Sequence, residues 1–123
     1  MRLGIDLLRL DELDRLSQRD WFHRLMFSPA ETDTARGLAE QRRREFLAGR
    51  FAAKEAVLKV LGTGLFQGVR PSDISLRRSP SGDPEVSLTG SAALAAREVG
   101  VRSVAVSITH KNDLVAAVAI GWG

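Results

Sequence analysis

Hydrophobic and polar residues alternate from the start of the chain. In RLGIDLL, Leu3, Ile5 and Leu7 share one parity, and Gly4, Asp6 and Leu8 share the other. A period of two predicts a β-strand with Asp6 on the face opposite Leu3, Ile5 and Leu7. From Asp11 to about Leu25 the apolar positions Leu13, Leu16, Phe22 and Leu25 fall at roughly helical spacing in a polar background. That pattern predicts a helix, with a break near Ser17 to Asp20. FSPAETD then carries a start signal. Ser28 suits the cap, Pro29 the first helical position and Glu31 the third, where its carboxylate completes a capping box.

The helix begun at Ser28 is predicted to end near Gly37. The next runs from about Gln41 to Leu61 and stops at LGTG, because Gly62 can take the left-handed conformation that closes a helix. Beyond Ile74 the pattern changes. DISLRR and PEVSL alternate on either side of SPSGDP, which predicts a hairpin with a longer loop. TGSAALAAREVG predicts a helix closed by Gly100. RSVAVSITH and LVAAVAIG predict two more strands, joined by KND. The order β-α-α-β-β-α-β-β predicts an α+β fold with a mainly antiparallel sheet. No repeat, low-complexity tract or linker interrupts the chain, and 123 residues form a single domain, 1–123.

Composition narrows the chemistry. Apolar residues at 44% and charged residues at 27% suit a globular chain and exclude a disordered one. The absence of cysteine removes disulfides, thiolate metal sites and cysteine nucleophiles. No apolar run approaches the roughly 20 residues of a membrane span, and MRLGIDLLRL reaches Asp6 too early for a signal peptide. A cytoplasmic protein with no membrane partner is therefore expected. The net charge of +3 favours anionic partners. With five Phe, two Trp and no Tyr, however, stacking platforms for single-stranded nucleic acid are scarce.

Two carboxylates stand out. Asp6 lies in a strand, where Asp is disfavoured and costly to bury unpaired. It reads either as a solvent-facing or capping residue, or as a hard oxygen ligand of the kind Mg²⁺ takes beside substrate phosphates. Glu55 reads either as the partner of Lys59 at i,i+4 or as a second such ligand. On the same helix Arg50 and Lys54 form one stripe, and Glu55 and Lys59 form the next. Ala52, Ala53 and Ala56 keep the helix narrow enough for a strand or ligand to approach. The turn Gly62, Thr63, Gly64 exposes backbone N–H groups that could meet a phosphate, although the helix C-terminal dipole opposes an anion there. His110 ends a strand, a frequent place for function, and equally suits a surface histidine. His23, Ser107 and Thr109 read as ordinary surface and strand residues, with no Ser-His-Asp arrangement.

Three blocks, GIDLL at Gly4–Leu8, EFLAGRFAAKEAVLKVLGTG at Glu45–Gly64, and SITH at Ser107–His110 before an Ala/Val strand, resemble the holo-acyl-carrier-protein synthases, small trimeric members of the 4′-phosphopantetheinyl transferase family. The central block is long and specific, and the three together span nearly the whole chain. The resemblance implies the 4′-phosphopantetheinyl transferase-like fold. It also implies transfer of the phosphopantetheine arm of coenzyme A to a serine of acyl carrier protein in fatty acid biosynthesis, with adenosine 3′,5′-bisphosphate released. It assigns Asp6 and Glu55 as Mg²⁺ ligands and puts Lys59 beside the phosphates. Asp6, Glu55 and Lys59 thus form the catalytic set. Arg50, Lys54, Lys59, Gly62, Thr63, Gly64 and His110 become the coenzyme A site. A homotrimer with active sites between subunits is implied, and Arg9, Arg15, Arg19 and Arg24 would meet the acidic carrier, interrupted by Asp11, Glu12 and Asp14. For the general base, Glu31, Asp33, a metal-bound water and Glu55 acting through water all stand open. A non-catalytic adapter on the same fold and a small basic nucleic-acid binder are the rival classes.

Overall fold

A computed structural model describes the whole chain, Met1–Gly123. Strand β1 (Arg2–Arg9) pairs antiparallel with β5 (Leu114–Trp122), from Arg2 opposite Gly121 to Arg9 opposite Leu114. On its other side β5 pairs antiparallel with β4 (Ser103–Lys111), giving a three-stranded sheet of order β1-β5-β4. β2 (Ile74–Arg78) and β3 (Pro84–Leu88) form a separate antiparallel hairpin. Four α-helices complete the fold: α1 (Asp20–Met26), α2 (Pro29–Arg36), α3 (Glu40–Val60) and α4 (Gly90–Glu98). The α+β expectation holds, with every strand pair antiparallel, and no helix is long and apolar enough to cross a membrane.

The 21-residue α3 is the axis of the molecule. Its buried Ala48, Ala52, Ala53, Ala56, Val57 and Val60 pack on one face of the sheet, against Leu8, Val115, Ala117 and Ala119. Small side chains let backbone meet backbone. A Cβ placed on Gly4 would lie 2.0 Å from the Ala56 carbonyl oxygen, so only glycine lets β1 come this close to α3. This contact sets the height at which the inward side chains of β1 meet the helix.

The parity of β1 is the reverse of a usual amphipathic strand. Leu3, Ile5 and Leu7 are about two-thirds exposed, at 66%, 64% and 66%. Gly4, Asp6 and Leu8 face α3 instead. The outward face continues through Leu114, Val118 and Trp122 of β5, also exposed. One side of the sheet is thus an uncovered apolar surface.

The helix predicted over Asp11 to Leu25 is replaced by two 3₁₀ turns, Leu10–Leu13 and Leu16–Gln18, followed by the seven-residue α1. Local polar bonds outcompete a continuous helix. The Arg9 N–H donates to Glu12 Oε2, Arg44 holds both Asp14 oxygens at 2.8 and 2.9 Å, and the Ser17 hydroxyl donates to the Asp14 carbonyl. Arg19 then takes an extended conformation and restarts the chain as α1. Three α-helices therefore precede the hairpin, as the segment-by-segment reading has it and one more than the order β-α-α-β-β-α-β-β counts.

The other boundaries follow the sequence closely. Ser28 Oγ accepts from the Glu31 N–H while Glu31 Oε1 accepts from the Ser28 N–H, closing the capping box of α2. At the end of α3, Gly62 has φ +79°, its N–H donates to Lys59 O, and the Thr63 N–H donates to Leu58 O. That pair of bonds is the left-handed helix closure expected of LGTG. The Arg2 guanidinium donates to Val60 O, placing a cation at the negative end of the helix. β4 runs on through Lys111, so KND contracts to Asn112–Asp113, with Asn112 in the left-handed conformation asparagine tolerates.

Candidate active site

The inward face of β1 and one stripe of α3 bring Asp6, Glu55 and Lys59 together. Lys59 Nζ donates to the Ile5 carbonyl at 2.6 Å and lies 3.7 Å from Asp6 Oδ1. Asp6 is mostly shielded by the helix; Lys59 is half exposed. Burial pushes the Asp6 carboxyl above the usual range, with Lys59 opposing. Burial also raises Glu55, the Asp6 charge adds to the rise, and Lys59 again opposes it. Each acid is therefore held in a partly dry place, within reach of the other's field. Glu55 Oε1 is buried without any hydrogen-bond donor. A buried carboxylate oxygen left unpaired is expensive unless a cation meets it.

Nowhere does the chain gather three or more His, Cys, Asp or Glu side chains into a metal-binding cluster. The two carboxylates match a hard divalent ion that takes one or two protein oxygens and draws the remainder from water and phosphate. The orphaned Glu55 oxygen makes Mg²⁺ chemically suitable here.

The neighbouring stripe behaves differently, and it corrects the expectation for Lys54. Lys54 is fully buried. Its Nζ lies 2.6 Å from Glu31 Oε1 and donates to the carbonyls of Met26 and Pro71 at 2.5 and 3.1 Å. All three donors of the ammonium are spent inside the protein, so Lys54 cannot reach a coenzyme A phosphate. Glu31 is equally committed. Besides Lys54 it accepts from the N–H groups of Ser28 and Leu76, which removes it from the candidates for general base. The signal was present in the sequence: Phe51 and Leu58, three and four residues away on α3, and Leu47 and Leu61, seven away on either side, mark this stripe as core-facing. Arg50 is nearly buried, with its guanidinium 4.3 Å above the Phe46 ring and its Nε unpaired. Burial pulls its pKa down.

The glycine turn is also corrected as a cradle of free N–H groups. The N–H groups of Gly62 and Thr63 close the helix, and the Gly64 N–H donates to Gln67 Oε1 at 2.9 Å. Only the last, held by a side chain, can be released to a ligand by rotation.

His110 is placed apart from the acidic pair. It ends β4 with Nε2 3.7 Å from Glu45 Oε2. Glu45 and Glu55 lie on one helix, about 15 Å apart at 1.5 Å per residue. Within one chain the predicted residues thus separate, Asp6, Glu55 and Lys59 meeting at one place and His110 standing with Glu45 at another. Near the chain start, Arg9 pairs with Asp11 and Arg44 with Asp14. The interrupting acids are thereby occupied, and Arg15, Arg19 and Arg24 stay exposed and outside any ion pair.

The sequence profile of the 4′-phosphopantetheinyl transferase superfamily matches residues 2–119. The chain is 42% identical over 123 residues to a holo-[acyl-carrier-protein] synthase of Desulforudis audaxviator, covering 98% of this chain and 92% of that protein. The crystal structure of holo-[acyl-carrier-protein] synthase from Neisseria meningitidis superposes with a TM-score of 0.87 at 27% identity, covering 99% and 98% of the two chains. That of a Bacillus anthracis holo-(acyl-carrier-protein) synthase, in complex with coenzyme A (3′,5′-ADP), superposes with a TM-score of 0.80 at 31% identity, covering 98% and 94%. A match of this extent, on a fold that joins Asp6 to Glu55, settles kinship: the chain belongs to the 4′-phosphopantetheinyl transferase superfamily.

Proposed function

We propose that the protein is a holo-acyl-carrier-protein synthase. It transfers 4′-phosphopantetheine from coenzyme A to a serine of apo acyl carrier protein, releases adenosine 3′,5′-bisphosphate, and serves fatty acid biosynthesis. The observation that carries this reading is the meeting of Asp6 and Glu55, 49 positions apart in sequence, with a dry, unpaired Glu55 oxygen beside Lys59. Asp6 and Glu55 hold Mg²⁺. The ion, when bound, supplies charge neutralisation to the pyrophosphate, the usual main contribution in phosphoryl-type transfer. Lys59, fixed by the Ile5 carbonyl, keeps an ammonium where negative charge builds on the leaving bisphosphate. With Lys54 and Glu31 sealed away, substrate phosphates meet this stripe and not the adjacent one.

The protein acts as a homotrimer with active sites between subunits. Two features support that. The outer face of β1 and β5 presents Leu3, Ile5, Leu7, Leu114, Val118 and Trp122 to water in the monomer, a surface more apolar and continuous than isolated exposed residues. The separation of His110 from the acidic pair leaves each chain with two partial sites, which a neighbouring copy can complete. Arg15, Arg19 and Arg24 meet the acidic carrier protein.

The test is direct. Apo carrier protein, coenzyme A and Mg²⁺ are incubated with the enzyme and the carrier is weighed by mass spectrometry. The expected result is addition of one phosphopantetheine, abolished by EDTA; an unmodified carrier under these conditions overturns the reading. Light scattering is expected to give three chains per particle. Ile5→Glu, which charges the outer face, is expected to dissociate the particle and to remove activity with it.

A further inference from the structure

The hairpin and the main sheet meet without joining. β3 lies beside β4, yet no backbone hydrogen bond links them, and each is a free edge of its own sheet. Between these edges and α4 lies a groove of about 590 Å³, within the range of small-molecule sites. Its floor is hydrocarbon: Val86 and Leu88 from β3, Ala93 and Ala96 from α4, Val101, and Val104 from β4. Val86, Leu88 and Val104 are only partly buried, so the groove leaves apolar surface in water. Polar character is confined to one end. Arg97, Arg102 and Ser103 supply it, from the last turn of α4 and the passage into β4. Both arginines are exposed and stand outside any ion pair. The last carbonyls of α4 do not occupy them: those of Ala95, Ala96 and Arg97 accept from the N–H groups of Val99, Val101 and Gly100.

We infer that the groove binds one molecule of an anionic amphiphile, a fatty carboxylate, with its head group at Arg97 and Arg102 and its chain along Val86, Leu88 and Val104. Two unpaired guanidiniums at one end suit a carboxylate, and a hydrocarbon chain gains by covering the wet floor. An uncharged chain leaves both arginines unanswered, and a small anion leaves the floor in water. The groove is distinct from both surfaces described above. The alternation that sends Ser107 outward opposite Val118 turns Val104 to the α3 side of the sheet, away from the bare outer face. The row Val104–Gly121–Arg2 also stands four residues along the sheet from the row Ile108–Ala117–Asp6, which is about 13 Å. The inference therefore stands whether or not the chain transfers phosphopantetheine.

The experiment follows the methyl resonances of the full chain, assembled as it is in solution, during titration with decanoate kept below its micelle concentration. Decanoate is expected to shift the methyls of Val86, Leu88 and Val104 and to leave those of Leu3, Ile5 and Leu7 in place. Octanoate is expected to bind about tenfold more weakly, the scale of two methylenes removed from apolar cover, and acetate to cause no shift. The double variant Arg97→Gln, Arg102→Gln changes exposed positions and is expected to melt as wild type does. It is expected to bind decanoate about fivefold more weakly, the scale of an exposed ion pair, and decanol with unchanged affinity. Equal decanoate affinity in the double variant and wild type overturns the inference. So does the absence of any shift with decanoate, or a shift confined to Leu3, Ile5 and Leu7, which would place the chain on the outer face. Decanol bound by wild type as tightly as decanoate overturns it as well, since the arginines would then select nothing.

Discussion

Lys54 and Glu55 are adjacent in sequence and opposite in fate. Lys54 is sealed in the core, its ammonium saturated by Glu31 and two carbonyls. Glu55, one step around the helix, has an oxygen with no partner at all. The first stripe of α3 ties together α1, α2, the loop before β2 and, through Glu31, the β2 strand itself. The second, with Asp6 and Lys59, is left electrostatically unfinished. A helix of ordinary composition thus separates structural charge from chemical charge by a rotation of about 100° per residue. The difference teaches that a charged residue beside a catalytic motif is not thereby catalytic; what its three- and four-residue neighbours bury decides.

The largest effect should come from breaking the sealed stripe. Lys54→Met leaves Glu31 buried and uncompensated, which is expected to remove about 3–5 kcal/mol of stability, read by chemical denaturation. A Lys54→Met, Glu31→Leu double variant is expected to recover most of it. Activity per folded molecule should change far less than stability. If Lys54→Met folds normally yet loses transfer, the contrast between the stripes is wrong.

Next comes the unfinished stripe. Glu55→Gln and Asp6→Asn are each expected to lower the transfer rate by at least about a hundredfold, the scale of losing an electrostatic stabiliser. Their melting temperatures should match or exceed wild type, because each removes one of two mutually repelling, partly dry acids. Mg²⁺ should raise the melting temperature of wild type and not of either variant, as expected when a ligand binds only the folded state. A wild-type rate in either variant would reject the site.

The smallest effect belongs to a half-exposed pair between the broken helical segment and α3. The two hydrogen bonds from Arg44 hold the Asp14 carboxyl below its usual range. An acid whose folded pKa is depressed adds stability above its unfolded pKa near 3.8 and loses it as pH falls through the lower folded value. Asp14→Asn should therefore cost under about 1 kcal/mol at neutral pH, given the pair's exposure. The gap to wild type should close in strongly acidic solution. A gap that persists there would point to packing instead of charge.

Much of the fold was legible in local chemistry. Ser28, Pro29 and Glu31 marked the start of α2, and Gly62 marked the end of α3 to within a residue. Alternation located all five strands. The stretch from Asp11 to Asp20 was misread because its apolar spacing was helical while its polar atoms had better partners elsewhere, Asp14 with Arg44 above all. Within the candidate site, residue type alone left Asp6 and Glu55 open between a structural and a ligand reading, and it was the resemblance to the holo-acyl-carrier-protein synthases that joined them with Lys59 as a set. Lys54 was misread because a burial requirement, settled by Glu31 on another helix, leaves little trace in a charge pattern. The glycine turn was misread for a related reason: which N–H groups remain free depends on Gln67, three residues beyond.

The reversed parity of β1 has a further consequence. Its odd residues lie on the bare outer surface and its even residue Asp6 faces α3 beside Lys59, so a slip of one position against β5 would exchange hydrocarbon for carboxylate on both sides at once. Gly4 would leave its seat against Ala56 in the same movement. An insertion or deletion of a single residue between Leu3 and Leu8 therefore strikes the outer apolar face, the docking of the long helix and the placement of Asp6 together, and this short segment is expected to tolerate substitution far better than any change in its length.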